Sequence, residues 1–304
     1  MTKIQVDSNG KAIMLGGKVL EASKGGGSGI GIPREVSATG VYQMPSENFT
    51  FTLPINATNL GNYAMSYAFY GCKGLTSADL SSLTTISGNS GMQYAFHGCT
   101  NLTSADLSNL TTVSGDNGMY YAFRDCYSLT SVDLSNLTTI RGAGSMSRAF
   151  HGCNSLTSVD LSKLSSVSDN NSMNYAFYYC TNLTSVDLSS LTTISGSSSL
   201  QYAFSGCTKL TSVDLSSLTT ISGSSGMQRS FDKCTSLTSL SFPSLTSKSF
   251  GSYTSQFSYM LYGVTGCTVH FPSNLQSVIG SWSDVTSGFG GTSTTVLFDL
   301  PATT

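Results

Sequence analysis

The sequence predicts an α/β repeat solenoid, in which similar coils of 27 residues stack into one array. Phenylalanine precedes a recurring cysteine by three residues, from Phe69 to Phe231, and leucine follows it by three, from Leu75 to Leu237. The cysteines that set this period of 27 are Cys72, Cys99, Cys126, Cys153, Cys180, Cys207 and Cys234. A fixed period of this size indicates stacked repeats. Such arrays present long surfaces, which favour binding over catalysis.

Residues 92–113 illustrate one coil. Met92, Ala95, Phe96 and Cys99 have the spacing of one helical face, which predicts a short helical turn. The following segment Ser-Ala-Asp-Leu-Ser at residues 104–108 alternates polar and apolar side chains, which predicts a short strand. Stacked coils would therefore carry a parallel β-sheet on one face and short helical turns on the other.

Beyond the array, the pattern changes at both ends. Ile4 and Val6 alternate towards Asn9-Gly10, a hairpin turn signal. We expect cap strands at FTFTLP before the array, and at TVHF and TTVLFDLP after it. The predicted segments are an N-terminal hairpin or anchor at 1–24, a glycine-rich linker at 25–40, an N-terminal cap at 41–64, the repeat array at 65–245, and a degenerate repeat with C-terminal cap at 246–304.

The composition excludes several classes of partner. Only 10% of the residues are charged and the net charge is −2, without a basic run, so nucleic acid and anionic membranes are poor partners. No stretch is apolar enough for membrane insertion. The N-terminus lacks the apolar segment of a secretory signal, which predicts assembly in the cytoplasm without a signal peptide.

Eight cysteines could in principle form four disulfides. Each recurring cysteine, however, occupies the same point of an apolar periodicity, where it acts as a small buried side chain. Parallel neighbours in a row have poor disulfide geometry, and they lack the histidine partners of a zinc site. We therefore predict free thiols, no metal and no cofactor, as in a reducing compartment.

Residues 49–271 carry the pattern AF-x-x-C-x-x-L-x-x-[VA]-x-L-x-x-L-x-x-[IV]. This pattern resembles the BspA-type leucine-rich repeat, which is common in bacterial surface proteins. The resemblance implies a leucine-rich-repeat array, curved and with a parallel sheet on one face. It also implies a binding or adhesive role.

One aspartate per coil lies on the predicted strand, which would place the carboxylates about 4.8 Å apart. The favoured interpretation is that each carboxylate accepts a hydrogen bond from a neighbouring serine or threonine. The alternative is a stripe of calcium ions, each of which would need six to eight oxygen ligands. These aspartates are Asp79, Asp106, Asp133, Asp160, Asp187 and Asp214.

The variation between coils lies instead at two positions of the predicted helical turn, which carry tyrosine, histidine and arginine in most copies. On a helix these positions would lie side by side, away from the buried face. Their residue types are favoured at recognition surfaces. The alternative is that the tyrosines only cover the edge of the core. The predicted ligand-binding residues are Tyr94, His97, Tyr121, Arg124, His151, Tyr175 and Tyr178.

No enzyme signature is present, because the three histidines are widely spaced and the aspartates belong to the repeat. The sequence predicts a non-enzymatic attachment protein that contacts a cell-surface protein or glycan. The favoured setting is a phage virion, in which residues 1–24 dock to a particle. The alternatives are a bacterial cell-surface adhesin and a structural decoration or spacer subunit without a ligand.

Overall fold

Stacked 27-residue coils confirm the predicted solenoid. The computed structural model describes residues 48–53, 57–246 and 255–303, together with short N-terminal strands. The strands, in chain order, are β1 (Thr2–Val6), β2 (Ala12–Ile13), β3 (Glu21–Ala22), β4 (Pro33–Val36), β5 (Tyr42–Gln43), β6 (Phe49–Thr52), β7 (Asn59–Leu60), β8 (Leu75–Asp79), β9 (Thr85–Ile86), β10 (Ser104–Asp106), β11 (Thr112–Val113), β12 (Ser131–Val132), β13 (Thr139–Ile140), β14 (Ser158–Asp160), β15 (Ser166–Val167), β16 (Ser185–Asp187), β17 (Thr193–Ile194), β18 (Ser212–Asp214), β19 (Thr220–Ile221), β20 (Ser239–Ser241), β21 (Thr268–Pro272) and β22 (Thr295–Leu300).

The aspartate-bearing strands pair in parallel, as predicted, and form what we call the strand face. Their register equals the repeat, since Ser104 lies opposite Ser77 and Asp106 opposite Asp79. The sheet order is β12-β10-β8-β6-β1-β2, and β14-β16-β18 form a separate sheet in later coils. The inward side chain of each three-residue strand is apolar, as at Val159, which is 3% exposed. Side chains along each strand therefore alternate between solvent and core, as the polar and apolar alternation of the sequence predicts for a strand.

A second parallel sheet was not anticipated from the sequence. Its order is β19-β17-β15-β13-β11-β9-β7, with one two-residue strand from each coil. Within the array, each of these strands consists of a half-buried threonine or serine followed by a buried isoleucine or valine, as at Thr112 and Val113. The preceding threonine hydroxyl donates to the carbonyl of its counterpart one coil earlier, for example Thr111 Oγ1 to Thr84 O at 3.0 Å. Hydroxyl groups thus reinforce the stacking along this edge.

The face predicted to carry helical turns carries consecutive hydrogen-bonded turns instead, and we call it the turn face. Alternate N–H groups donate to the next coil, from Met92 to Gly118 O at 2.7 Å and from Tyr94 to Tyr120 O at 2.9 Å. The intervening N–H groups donate three residues back, as from Ala95 to Met92 O at 3.0 Å. An α-helix would direct every N–H four residues back within its own chain segment. Here the stacked neighbouring coil supplies half of the acceptors. The prediction of helical turns on this face was therefore wrong, and the face consists of non-helical turns.

The core is a set of columns, one side chain from each coil. The phenylalanines from Phe69 to Phe231 are buried, and neighbouring rings stack with centroids 5.0–5.8 Å apart. Beside them, each cysteine from Cys99 to Cys234 donates its thiol to a phenylalanine carbonyl of the preceding coil, as from Cys153 Sγ to Phe123 O at 3.2 Å. The cysteine column therefore links neighbouring coils as well as filling space.

We expect the eight cysteines to be free and unreactive in the folded protein. All are buried without disulfides, and burial raises the pKa of Cys72 and Cys267 to about 11 and that of Cys180 to about 12. The thiolate is the reactive form, so alkylation at pH 8 should be slow until the chain unfolds. Thiol titration in denaturant without reductant should then find eight groups. Peptide mapping that found four bridges would contradict this.

The two ends of the array are covered differently. At the N-terminus β1 and β2 pair antiparallel, with Gln5 opposite Ile13, which confirms the predicted strand pairing; the intervening turn lies outside the described residues. Strand β1 also joins β6 in parallel and extends the strand face. A further sheet, β3-β4-β5, includes Pro33–Val36 from the stretch predicted as linker. The segment boundaries themselves stay a prediction.

At the C-terminus, β21 and β22 form at the predicted sequences TVHF and TTVLFDLP, and pair in parallel next to β20. The connection between them contains a 3-10 helix at Ser273–Leu275, helix α1 (Gln276–Ile279), helix α2 (Ser283–Thr286) and a second 3-10 helix at Gly288–Gly290. Among the described residues, no helix is both long and apolar enough for a membrane span.

Candidate functional site

The aspartates of the strand face have structural partners. In each coil the carboxylate accepts a hydrogen bond from the N–H of the serine two residues later, as in Asp106 with Ser108 at 2.9 Å. Asp160 makes the same contact with Ser162, and hydrogen bonds from Ser162 hold the pKa of this carboxyl below its usual range. The favoured interpretation of the aspartate row is therefore confirmed. Within the described part of the chain, no three His, Cys, Asp or Glu side chains converge on a possible metal site.

Two shallow grooves run along the strand face, with volumes of about 680 and 700 Å³. Their walls repeat the same serine, valine or alanine, and aspartate in successive coils, for example at 104–106, 131–133 and 158–160. A surface that repeats in this way offers little to distinguish one irregular partner from another. The grooves are large, but their lining is chemically monotonous.

The turn face carries a continuous column of tyrosine and arginine side chains. Tyr94 stacks between Tyr67 and Tyr121, with ring centroids 4.8 and 4.9 Å away. The guanidinium of Arg148 continues the column, 5.4 Å from the ring of Tyr121 and 4.7 Å from that of Tyr175. We call this set the tyrosine column; its members are Tyr67, Tyr94, Tyr121, Arg148, Tyr175, Tyr202 and Arg229.

A second column lies against the first and brings in the remaining predicted residues. The ring of His97 lies 4.8 Å from that of Tyr70, and the ring of His151 lies 4.9 Å from that of Tyr178. Arg124 bridges the two columns, with its guanidinium 4.9 Å from the ring of Tyr121. The structure thus brings all seven predicted ligand-binding residues together on one face.

These residues are less exposed than a helical turn would make them. The seven predicted side chains are half-buried, since each is flanked by its counterparts in the neighbouring coils. Tyr67 and Tyr70, at the end of the row, are about half exposed. The predicted exposed stripe is therefore corrected to a packed surface that shows edges and polar tips to solvent.

The charge of this surface comes from arginine rather than histidine. Burial, assisted by the nearby guanidinium of Arg124, lowers the pKa of His151 to about 4, so its ring is neutral at pH 7. Burial also lowers the pKa of His97. Burial raises the pKa of Tyr94 and Tyr178 to about 12, so their hydroxyls remain hydrogen-bond donors.

The tyrosine column has an unusual backbone. In each coil the turn face uses a left-handed residue at every fourth position, as at Ser90, Tyr94 and Gly98, with φ of 56°, 54° and 71°. The outer two of these positions mostly carry glycine, serine, asparagine or aspartate, which suit this conformation. The middle position carries only tyrosine or arginine along the column, at φ between 53° and 57°. A left-handed backbone disfavours bulky residues, so tyrosine and arginine at these positions carry a conformational cost that glycine would avoid.

The sequence pattern already contained members of the column that were not included in the predicted site. Arg148, Tyr202 and Arg229 occupy the same repeat position as Tyr94 and lie in the same column. Their spacing from Tyr94 by multiples of 27 residues was the sequence signal that could have identified them. Their contribution depends on stacking between coils, which only the register of the assembled array reveals.

The repeat is also detected by comparison with known families. A family model described as BspA type leucine rich repeat region matches in six copies, over residues 41–143, 93–225 and 172–281. Among solved structures, the chain is similar to a leucine-rich repeat protein of T. pallidum, with 24% identity and a TM-score of 0.40, over 60% of this chain and 78% of that one. It is also similar to a leucine-rich repeat protein from Eubacterium ventriosum, with 23% identity and a TM-score of 0.40, over 64% of this chain and 45% of that one. No curated protein matches the chain.

Proposed function

Because the chain belongs to the BspA-type leucine-rich repeat family, we propose that it is a non-enzymatic binding protein that attaches to a cell-surface protein or glycan through its turn face. Leucine-rich repeat proteins are typically binding scaffolds, because each repeat adds to one long surface.

The tyrosine column is the observation that carries this proposal. Stacking holds each ring between its neighbours, as Tyr94 is held between Tyr67 and Tyr121. A partner would therefore meet rings that lose little conformational entropy on binding. The left-handed backbone beneath the column would be relieved by glycine or asparagine, yet tyrosine and arginine occupy it throughout. The presence of these large side chains at a cost to the backbone supports a role in recognition.

Removing three rings of the column should weaken attachment. We expect a chain with Tyr94→Asn, Tyr121→Asn and Tyr175→Asn to bind target cells about tenfold or more weakly, because interface tyrosines commonly contribute more than about 1 kcal/mol each. Asparagine is chosen because it tolerates the positive φ of 54–57° at these positions. Flow cytometry with labelled protein measures the binding, and thermal unfolding verifies that the array is intact.

The matched control changes three strand-face residues, Asp106→Asn, Asp133→Asn and Asp160→Asn. Asparagine keeps an oxygen that accepts the serine N–H, so the turns of the strand face should persist. Binding by this variant should stay within about twofold of the unchanged protein. Loss of binding in the aspartate variant, together with normal binding by the tyrosine variant, would assign recognition to the strand face.

The biological setting of this attachment is proposed from the sequence alone. A phage virion stays the favoured setting and a bacterial cell surface the alternative, with a ligand-free structural subunit as the third. Docking of residues 1–24 to a particle likewise stays a prediction. The parallel pairing of β1 with β6 supports a second role for these residues, which is to cover the edge of the first coil.

A further inference from the structure

The turn face contains a notch where one coil of the described array carries smaller side chains than the coils on either side. Ala143, Gly144 and Ser147 stand where the preceding coil has Asp116, Asn117 and Tyr120 and the following coil has Asn170, Asn171 and Asn174. Small side chains in the middle coil leave the larger ones on either side as walls. The resulting pocket has a volume of about 350 Å³, and its polar lining consists of Asn117, Tyr120, Ser147, Arg148, Asn171 and Asn174.

The pocket has a buried polar floor and an open rim. Ser147 is 4% exposed and Asn174 is 6% exposed, whereas Asn117 and Asn171 at the rim are exposed. The Nδ2 group of Asn174 donates to Gln201 Oε1 at 3.0 Å, which fixes the orientation of this amide. Each lining amide presents both a donor and an acceptor. The pocket therefore suits a compact ring whose hydroxyl groups both donate and accept hydrogen bonds.

Arg148 places a guanidinium without an ion-pair partner among the described residues in the lining of the pocket. Its guanidinium lies between the rings of Tyr121 and Tyr175, 5.4 and 4.7 Å from their centroids. Across the described residues it forms no ion pair, whereas Arg124 pairs with Asp125 at 3.3 Å and Arg229 with Asp232 at 3.7 Å. With its flat faces covered, a guanidinium can still donate within its plane, in the geometry that binds a carboxylate.

The surroundings oppose a ligand with more than one negative charge. The carboxylates of Asp116 and Asp169 lie close to the notch, where they accept the N–H groups of Ala143 at 2.8 Å and of Gly142 at 2.7 Å. Two nearby negative charges oppose a doubly charged phosphate group more strongly than a carboxylate. The volume is at the small end of ligand pockets, which suits one sugar ring rather than a folded peptide segment.

We propose that this pocket binds an acidic sugar of a cell-surface glycan. Arg148 pairs with the sugar carboxylate, and the amides of Asn117, Asn171 and Asn174 bind its hydroxyl groups. This inference rests on the proposed function, because it names the ligand class for one part of the turn face. It commits to a carboxylate-bearing sugar, which a sialic acid or a uronic acid could supply.

Titration of the full chain by NMR tests the proposal with defined probes. Sialyllactose and a glucuronic acid disaccharide are compared with lactose and with a glutamate-rich peptide. We expect at least one acidic sugar to bind about tenfold or more tightly than lactose, since a hydrogen-bonded charge pair is gained. The sugar that binds identifies the source of the carboxylate. Equal binding of lactose, or tighter binding of the peptide, would overturn the proposal.

Two sets of variants locate the binding. Arg148→Gln should weaken the acidic sugar about tenfold or more, while Arg141→Gln, which removes the same charge from an exposed position of the same coil, should leave it unchanged. If Arg148→Gln lowers the thermal stability, Asn117→Gly and Asn171→Gly provide a second test, since glycine adopts their positive φ without strain. Undiminished binding in these variants would place the sugar elsewhere.

The outcomes separate this inference from the proposed function. If the tyrosine variants lose cell binding while Arg148→Gln leaves every sugar titration unchanged, the turn face binds but the pocket is wrong. If the acidic sugar binds in an Arg148-dependent way while the tyrosine variants keep full cell binding, the pocket is right and the proposed attachment surface is wrong.

Discussion

Replacing Phe150 with alanine is expected to lower the free energy of unfolding by about 3–5 kcal/mol. Phe150 is fully buried in the middle of the array, and its ring stacks on Phe123 and Phe177, each with the centroid 5.2 Å away. Truncation would therefore leave a cavity and remove two ring contacts at once. Denaturant unfolding, followed by circular dichroism, measures the change.

Tyr127→Ala is the matched control for Phe150→Ala, since it removes an aromatic ring that is 48% exposed. We expect this change to fall within about 0.5 kcal/mol of the unchanged protein. A loss below about 1 kcal/mol for Phe150→Ala, or equal losses for the two variants, would mean that the phenylalanine column does not hold the coils together.

Gly115→Ala is expected to destabilise the array by about 3 kcal/mol, because the loops of neighbouring coils touch at this glycine. A Cβ atom added at Gly115 would lie 2.1 Å from the carbonyl oxygen and 2.4 Å from the carbonyl carbon of Gly88. These are backbone atoms, so they cannot move aside without separating two coils. Thermal and denaturant unfolding should both report the loss.

Gly61→Ala is a control at the same repeat position in the first coil. Among the described residues, and apart from its two neighbours in the chain, no atom lies within 4 Å of a Cβ added at Gly61. The substitution should be neutral or slightly stabilising, since alanine restricts the unfolded chain. Similar destabilisation by Gly61→Ala and Gly115→Ala would show that the effect comes from the backbone conformation of the loop rather than from contact between coils.

The sequence predicted well those features that depend on one side chain per coil. The columns headed by Phe96 and Cys99, and the strand at Ser104–Asp106, follow directly from apolar spacing at a fixed period. The strands at both caps could also be recognised, because Phe51 pairs with Ala78 as their shared repeat position required. In a regular array, residues at the same repeat position are buried alike and lie opposite each other in the sheet, so one sequence period predicts both burial and strand pairing.

Features that depend on contacts between coils could not be predicted in this way. The spacing of Met92, Ala95, Phe96 and Cys99 fits a helical face, but it also fits turns whose N–H groups donate to the next coil. The second sheet was missed because a two-residue strand, such as Thr112–Val113, is too short to show an alternating pattern. In both cases the deciding acceptor lies one coil away along the stack.

The candidate site shows the same division. The repeat positions of Tyr94 and His97 were identified from variation between coils, whereas their stacking and half-burial were not. The notch beside Arg148 arises from the absence of large side chains at Ala143, Gly144 and Ser147. Small residues are common throughout this sequence, so these three do not stand out on their own. They form a pocket only because the neighbouring coils carry larger side chains at the same positions.

Covalent footprinting of the protein on its target cells tests the central claim most directly, because it reports which face is covered in the complex. Tyrosine-directed labelling and peptide mass spectrometry would compare the free and the attached protein. We expect Tyr67 and Tyr94 in the tyrosine column to be protected on attachment, while Tyr127, which is 48% exposed outside the column, keeps its reactivity. Unchanged labelling of the column, together with protection of strand-face peptides at residues 104–108 and 158–160 from hydroxyl radicals, would contradict the account.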